Sequence, residues 1–245
     1  ENMQLQAEAF MARQHAGQIA QSGAGAGAAV PVAVVAGRGL GDIFTSLGAA
    51  QLVSGGAALN PSTQTLLDAI EQVDGHSVLL LPNHKNIIPA ARQAARQSTK
   101  QVEVIPAQTV PQGIAALLAF NSQLDLPTNS QRMRTALAEI KTIQLTQAVR
   151  PSRVNGFQVG LNDVLGLVDD NLVSVGQNFK QVALSCVASV IDDERHELVT
   201  IYVGQHGQPA QGNELAAALG RHYPGIDVEI HDGGQPHYHY IISLE

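Results

Sequence analysis

The chain has 245 residues, 44% of them hydrophobic and 14% charged, with 14 basic and 21 acidic side chains and a formal net charge of −7. That length allows one large domain or two smaller ones, either able to bury a core without disulfides or metals. Neutral polar residues replace the missing charge, which excludes a disordered chain, and the acidic balance argues against a nucleic-acid binder.

The charge is unevenly placed. Residues 1–141 carry nine basic and nine acidic groups, so the whole net charge of −7 falls in residues 142–245. Such a half is either a solvated surface or a face that steers a basic partner. The single cysteine, Cys186, sits in an apolar helical pattern and reads as a buried thiol. No apolar run approaches the roughly 18 residues of a membrane span, and no signal-peptide pattern opens the chain. A cytoplasmic location is expected. A chain that begins with Glu1 is expected to be an excised piece of a longer protein.

In chain order, residues 3–21 form a helical pattern, and the Gly/Ala alternation of 22–29 reads as a flexible joint. From residue 30 short apolar strands alternate with helices. The strands are Val32–Ala36, Gln51–Ser54, Ser77–Leu81 and Val102–Ile105. The helices are Leu40–Leu47, a segment opened by Asn60-Pro61-Ser62-Thr63 and running through Val73, Asn86–Gln97, and Pro111–Phe120 capped by Thr109. That alternation predicts βαβ units and a parallel sheet. Pro127 follows a loop, and Ser130–Ile140 reads as another helix. The pattern then changes. Ile143–Val149 alternates, Asn155-Gly156 is a hairpin turn, and Val164–Val168 and Leu172–Val175 flank a turn at Asp169-Asp170-Asn171. A helix at Gln177–Ile191, a strand at Leu198–Val203, a helix at Asn213–His222 and strands at Ile226–Ile230 and Tyr238–Ser243 complete the chain. The expected organisation is a linker over 1–29, a parallel α/β domain over 30–141, and a mixed α/β domain with an antiparallel meander over 142–245.

Ligands of open parallel sheets bind beyond the carboxyl ends of the strands, so the loops there are the candidate sites. Gly37-Arg38-Gly39-Leu40-Gly41-Asp42 lacks the spacing of a dinucleotide fingerprint and reads as a tight strand-to-helix turn. Asn60, Ser62 and Thr63 stand at a helix start, where free N–H groups can meet an anion or be capped. Asn83, His84, Lys85 and Asn86 follow the most apolar strand; Lys85 could pair a phosphate or carboxylate, and the amides could orient it. Near the carboxyl end, Gln235, Tyr238 and Tyr240 belong to a Gly/Pro-rich turn and the strand after it. On that strand His237 and His239 would share one face and the tyrosines the other. With His231 nearby, the histidine pair is a weak candidate for a metal such as Zn²⁺. Walker A, Gly-x-Ser-x-Gly, His-Glu-x-x-His and Cys-x-x-Cys motifs are all missing.

Taken in order, these segments resemble one family. VAVVAGRGLGDIFTSLGAAQLVSGGAALNPSTQTLLDAIEQV, LLLPNHKNIIPAARQAA, VIPAQTVPQGIAALLAFN and the closing DGGQPHYHYIISLE are similar to the carboxy-terminal region of the YloV-type proteins. That family is the ATP-binding component of bacterial fatty acid kinase, related to dihydroxyacetone kinase. The resemblance covers roughly residues 30–245 and implies a DegV-like fold. It also implies a kinase domain elsewhere that holds ATP and Mg²⁺, with no cofactor in this chain. The implied partner is a DegV-like fatty-acid-binding protein, through which an acyl chain is engaged indirectly. Asn60-Pro61-Ser62-Thr63, Pro82-Asn83-His84-Lys85-Asn86 and Gly233-Gly234-Gln235-Pro236 match its motifs. The family pattern expects Asn where this chain has His84 and Pro where it has His239.

Three functions fit these observations. The chain is a docking region of a fatty acid kinase that is not itself catalytic, or a lipid or small-ligand binding domain, or a metal-assisted phosphatase built on the histidines and Lys85.

Overall fold

The structure is a computed structural model that describes residues 28–55, 60–154, 156–192 and 195–245. The helix and joint expected over residues 3–29 lie almost wholly outside the described residues, as does Asn155 of the expected Asn155-Gly156 turn.

The first half is a four-stranded sheet in the order β2-β1-β3-β4, made of β1 (Ala29–Val35), β2 (Gln51–Ser54), β3 (Ser77–Leu81) and β4 (Gln101–Val104). All its pairings are parallel. Both faces are covered, which is why the central strands read as continuous apolar runs. On β3, Val78 and Leu80 face one core with Leu66, Ala69 and Ile70 of α2 (Thr63–Gln72) and Ala91 and Ala94 of α3 (Ile88–Gln97). Leu79 and Leu81 face another, with Leu40 and Phe44 of α1 (Arg38–Ser46), Ile114 and Leu117 of α4 (Val110–Leu118), and Met133 and Leu137 of α5 (Leu126–Ala138). Each of the Val, Leu, Ile, Phe and Met side chains among them contributes about 1.5–3 kcal/mol through burial.

The second half is a six-stranded mixed sheet in the order β11-β10-β12-β5-β8-β9. Its strands are β5 (Lys141–Gln147), β8 (Val164–Val168), β9 (Asn171–Gly176), β10 (Leu198–Val203), β11 (Asp227–Asp232) and β12 (Tyr240–Leu244). Only β10 and β11 pair in parallel, joined through α7 (Pro209–His222); β12 returns antiparallel between β10 and β5. A separate hairpin, β6 (Ser152–Val154) and β7 (Phe157–Val159), rises between β5 and β8. Residues Asp169 and Asp170 form the β8–β9 turn with φ of 45° and 66°, as a two-residue hairpin of the right twist requires. Tyr240, Ile242 and Leu244 enter a third core with Val182, Cys186 and Val187 of α6 (Phe179–Ala188), while Ile241 and Tyr202 join Leu79, Leu81 and Phe44. The layer between the sheets is therefore a single apolar core shared by both halves.

Three local expectations need correction. The helix expected from Ser130 begins at Leu126, capped by Asp125, with Pro127 in its first turn. Likewise the helix expected from Asn213 begins at Pro209. Proline suits the first turn because its missing N–H would be unpaired there anyway, so each helix opens at its proline, a few residues earlier than expected. The last strand begins at Tyr240 and not at Tyr238, because residues 236–239 are still turning, with His237 at a φ of 69°.

Candidate functional site

The ends of β1 and β3 and the closing segment 233–239 meet at one rim of the inter-sheet core. Glycines make this approach possible. A Cβ on Gly39 would lie 1.7 Å from the carbonyl oxygen of Asp232, and one on Gly37 would lie 2.5 Å from that of Gly233. Leu40 N–H donates to Gly233 O at 3.0 Å. The closing segment is tied down further. Gln205 N–H donates to Gln235 O at 3.0 Å, His239 N–H to Leu145 O at 2.8 Å, and Thr146 Oγ1 to His237 O at 2.7 Å.

Asn83 opens the loop after β3 with a φ of 56°, a left-handed conformation that Asn tolerates. It is buried, and its Nδ2 donates to Val34 O at 2.9 Å. Gln235 is buried opposite, its Nε2 donating to Tyr202 O at 2.9 Å. Between them lies a cavity of about 40 Å³ lined chiefly by Val34, Ile87, Val110 and Ile241, with the polar groups of His84, Thr109, Gln144 and Tyr238 also in its wall.

The rim outside the cavity carries the charge. Lys85 Nζ pairs with Asp170 Oδ2 at 2.9 Å, joining the loop after β3 to the β8–β9 turn. His84 is half-buried beside them, and its Nδ1 accepts from Asn86 N–H at 3.2 Å. Burial holds the His84 imidazole below its ordinary pKa; Lys85 and His237 push the same way, and Asp170 opposes them. The Tyr238 phenol is raised, by burial first and by Asp170 second. The rim thus brings Asn83, His84, Lys85, Asn86, Gln235 and Tyr238 together and adds Asp170.

The other candidates stand elsewhere. Ser62 caps α2, its Oγ accepting from Thr65 N–H at 3.1 Å. Thr63 Oγ1 donates to Gln93 at 3.4 Å, and Asn60 N–H donates to Gly55 O at 3.1 Å. Tyr240 is buried on the far face of the second sheet, where its hydroxyl donates to Gln208 O and accepts from Gln208 N–H, both at 3.0 Å. It does not share a face with Tyr238, which packs against the inter-sheet core.

The histidines also separate. His231 stacks on Tyr202 at 6.0 Å between centroids, with Glu229 3.3 Å from its Nε2. His239 packs on Phe179 at 4.9 Å and lies 6.0 Å from His206, while exposed His237 faces His84. Among the described residues no group of three or more His, Cys, Asp or Glu is placed to hold a metal ion. The expected His237/His239 strand face is absent because those residues precede β12.

Sequence reasoning missed Asp170 and Gln144. Asp170 read only as a turn residue. Gln144 alternates with Ile143 and Leu145, the signature of a solvent-facing position; it is 5% exposed because the first half of the chain covers that face.

Two sheets, one parallel and one mixed, joined through a shared apolar layer define a class. The fold is similar to a DegV family protein, Cg2579 from Corynebacterium glutamicum (TM-score 0.64, 14% identity, 89% of this chain and 96% of that one). It is also similar to the dihydroxyacetone kinase of C. freundii (TM-score 0.54, 12% identity, 100% of this chain and 55% of that one). Within that class the sequence matches the FakA-like C-terminal family of fatty acid kinases over residues 30–245, and the chain belongs to it. Protein YloV of Bacillus subtilis is 39% identical over 214 residues, covering 87% of this chain. The chain spans 38% of that relative's length.

Proposed function

We propose that this chain is the docking region of a bacterial fatty acid kinase. It engages a separate DegV-like protein that carries a fatty acid, while an ATP- and Mg²⁺-dependent domain elsewhere in the kinase phosphorylates the acyl carboxyl group. The chain itself supplies recognition and no catalytic group.

The observation that carries this reading is the arm around β6 and β7. Among the described residues, Val149, Val154, Leu161 and Leu118 are the large hydrophobic side chains left exposed, and the first three lie on this one excursion. Val149 is 88% exposed. Exposed Arg150 and Arg153 stand among them, and no ion pair engages either within the described residues. Apolar side chains beside arginines are the composition of a protein contact and not of a solvated loop. By contrast, the polar motif residues Ser62, Asn83 and Gln235 bond within the chain itself. Family membership supplies the kinase setting.

Size-exclusion chromatography of the chain with the loaded carrier from the same genome tests the reading. Co-elution is expected for the native chain, with loss of the complex in R150E/R153E and no ATP consumption by the chain alone. Independent elution of native chain and carrier at low salt contradicts it.

A further inference from the structure

The two faces of the second sheet are covered unequally. Along β8, Val164 and Val168 enter the core under α6, and Gly166 lies against Cys186. Leu165 and Leu167 therefore stand on the opposite face. Their partners on β9 are Val175 and Leu172, so four aliphatic side chains share that face. The row Ile241, Gln144, Leu167, Leu172 crosses it from β12 to β9. Ile241 and Gln144, which the first half of the chain covers, are 4% and 5% exposed. Leu165, Leu167, Leu172 and Val175 are only part-buried and belong to none of the three cores.

A strand with one face in water alternates apolar with polar residues. At these four positions β8 and β9 carry leucine and valine instead, the composition of a sheet covered on both faces. Moreover, β9 is the edge strand and has neither a charged residue nor a proline, the usual guards of an open edge.

The patch is continuous with the arm around β6 and β7. Leu165 pairs with Thr146 of β5, and beside them the base of the arm is closed by Ala148 N–H donating to Asp163 O at 2.8 Å. Residues 148–162 contain Arg150 and Arg153 and no acidic residue, in a half whose net charge is −7. Whatever covers the patch meets positive charge along that border.

We infer that the β8–β9 face seats an amphipathic helix of the carrier protein, with an aliphatic stripe edged by carboxylates. The inference rests on the docking reading and extends it from the arm to the sheet. A sheet face is covered by helices or by a second sheet. Two strands spaced about 4.8 Å apart match the roughly 10 Å width of a single helix. Carboxylates on the flank of that helix pair with Arg150 and Arg153.

The test follows the ¹³C-labelled leucine and valine methyls of the native chain during titration with the fatty-acid-loaded carrier. Calorimetry of L167T/L172T, which keeps strand propensity and removes the aliphatic surface, accompanies it. The methyls of Leu165, Leu167, Leu172 and Val175 are expected to shift or broaden while those of Leu79 and Leu81 stay in place. L167T/L172T is expected to bind at least tenfold more weakly than the native chain. If that variant does not fold, the native methyls decide. Unmoved methyls, or native affinity in a folded L167T/L172T, overturn the inference; if R150E/R153E still loses the carrier, the docking reading stands. No binding by the native chain overturns both. Without carrier, NOEs from the four methyls to residues 3–21, or shifts that grow with chain concentration, would reveal cover by this chain's own amino-terminal segment or by a second copy, and would also overturn the inference.

Discussion

Gly113 shows how a single position governs the rim. A Cβ there would lie 2.0 Å from Asn83 Oδ1 and 3.0 Å from Phe44 Cζ. G113A is expected to cost about 1–3 kcal/mol, the range for forcing extra volume into a packed interior. Urea denaturation measures it, and an unchanged midpoint would mean that Asn83 is free to move. Cys186 makes the matching case in the second core. Its Sγ fills the space that a Cβ on Gly166 would occupy, and burial pushes its thiol up to about 11. It is expected to react with a thiol reagent only after unfolding; fast labelling of the native chain would contradict that. The histidines set a pH dependence. His84 and His239 are both held low by burial, with His206 adding to the effect at His239. The unfolded chain therefore binds more protons just below the ordinary histidine value of 6.5, and stability is lost as pH falls through that interval. The denaturation midpoint is expected to be lower at about pH 5.5 than at about pH 7.5, with a smaller drop in H84N. An equal drop in H84N would remove His84 from the account.

Among the elements, those with strong local signals were legible in the sequence. The central strands β1 and β3 were visible as unbroken apolar runs, because a sheet covered on both faces needs them, while the edge strands β2 and β4 were legible as short strand-like segments between helices. The caps Ser62 and Thr109 and the Asp169-Asp170 turn were legible for the same local reason. What escaped was tertiary. Gln144 looks solvent-facing until the other sheet covers it, and Lys85 and Asp170 lie 85 residues apart in sequence with no local mark of their ion pair. Tyr238, His237 and His239 alternate like a strand, yet the packing of Gly233 on Leu40 keeps this segment turning. At this scale the cap of α6 is a clean test. Asn178 Oδ1 accepts from Lys180 N–H at 2.9 Å and from Gln181 N–H at 3.3 Å. N178A is expected to lower stability by about 1 kcal/mol, read by thermal denaturation, while N178D should retain most of it.

At the scale of the whole molecule the two sheets behave as one body. They share the apolar layer of Leu79, Leu81, Phe44, Tyr202 and Ile241, and are pinned by Thr109–Thr142 at 2.8 Å and Lys85–Asp170 at 2.9 Å. A joined body of this kind can present the β6–β7 arm without paying to order the surface beneath it, since preorganisation is where binding free energy is most readily gained. The arm is basic, while residues 142–245 as a whole carry the net charge of −7. Its contact should therefore weaken with salt, mainly through a slower association rate. The most direct test of the docking proposal is calorimetric titration of this chain with the DegV-like carrier, loaded with fatty acid and empty, at low and high salt. Saturable binding that weakens with salt and is reduced at least tenfold in R150E/R153E is the predicted result. No heat of binding to either carrier form at low salt, with both proteins folded, would contradict it.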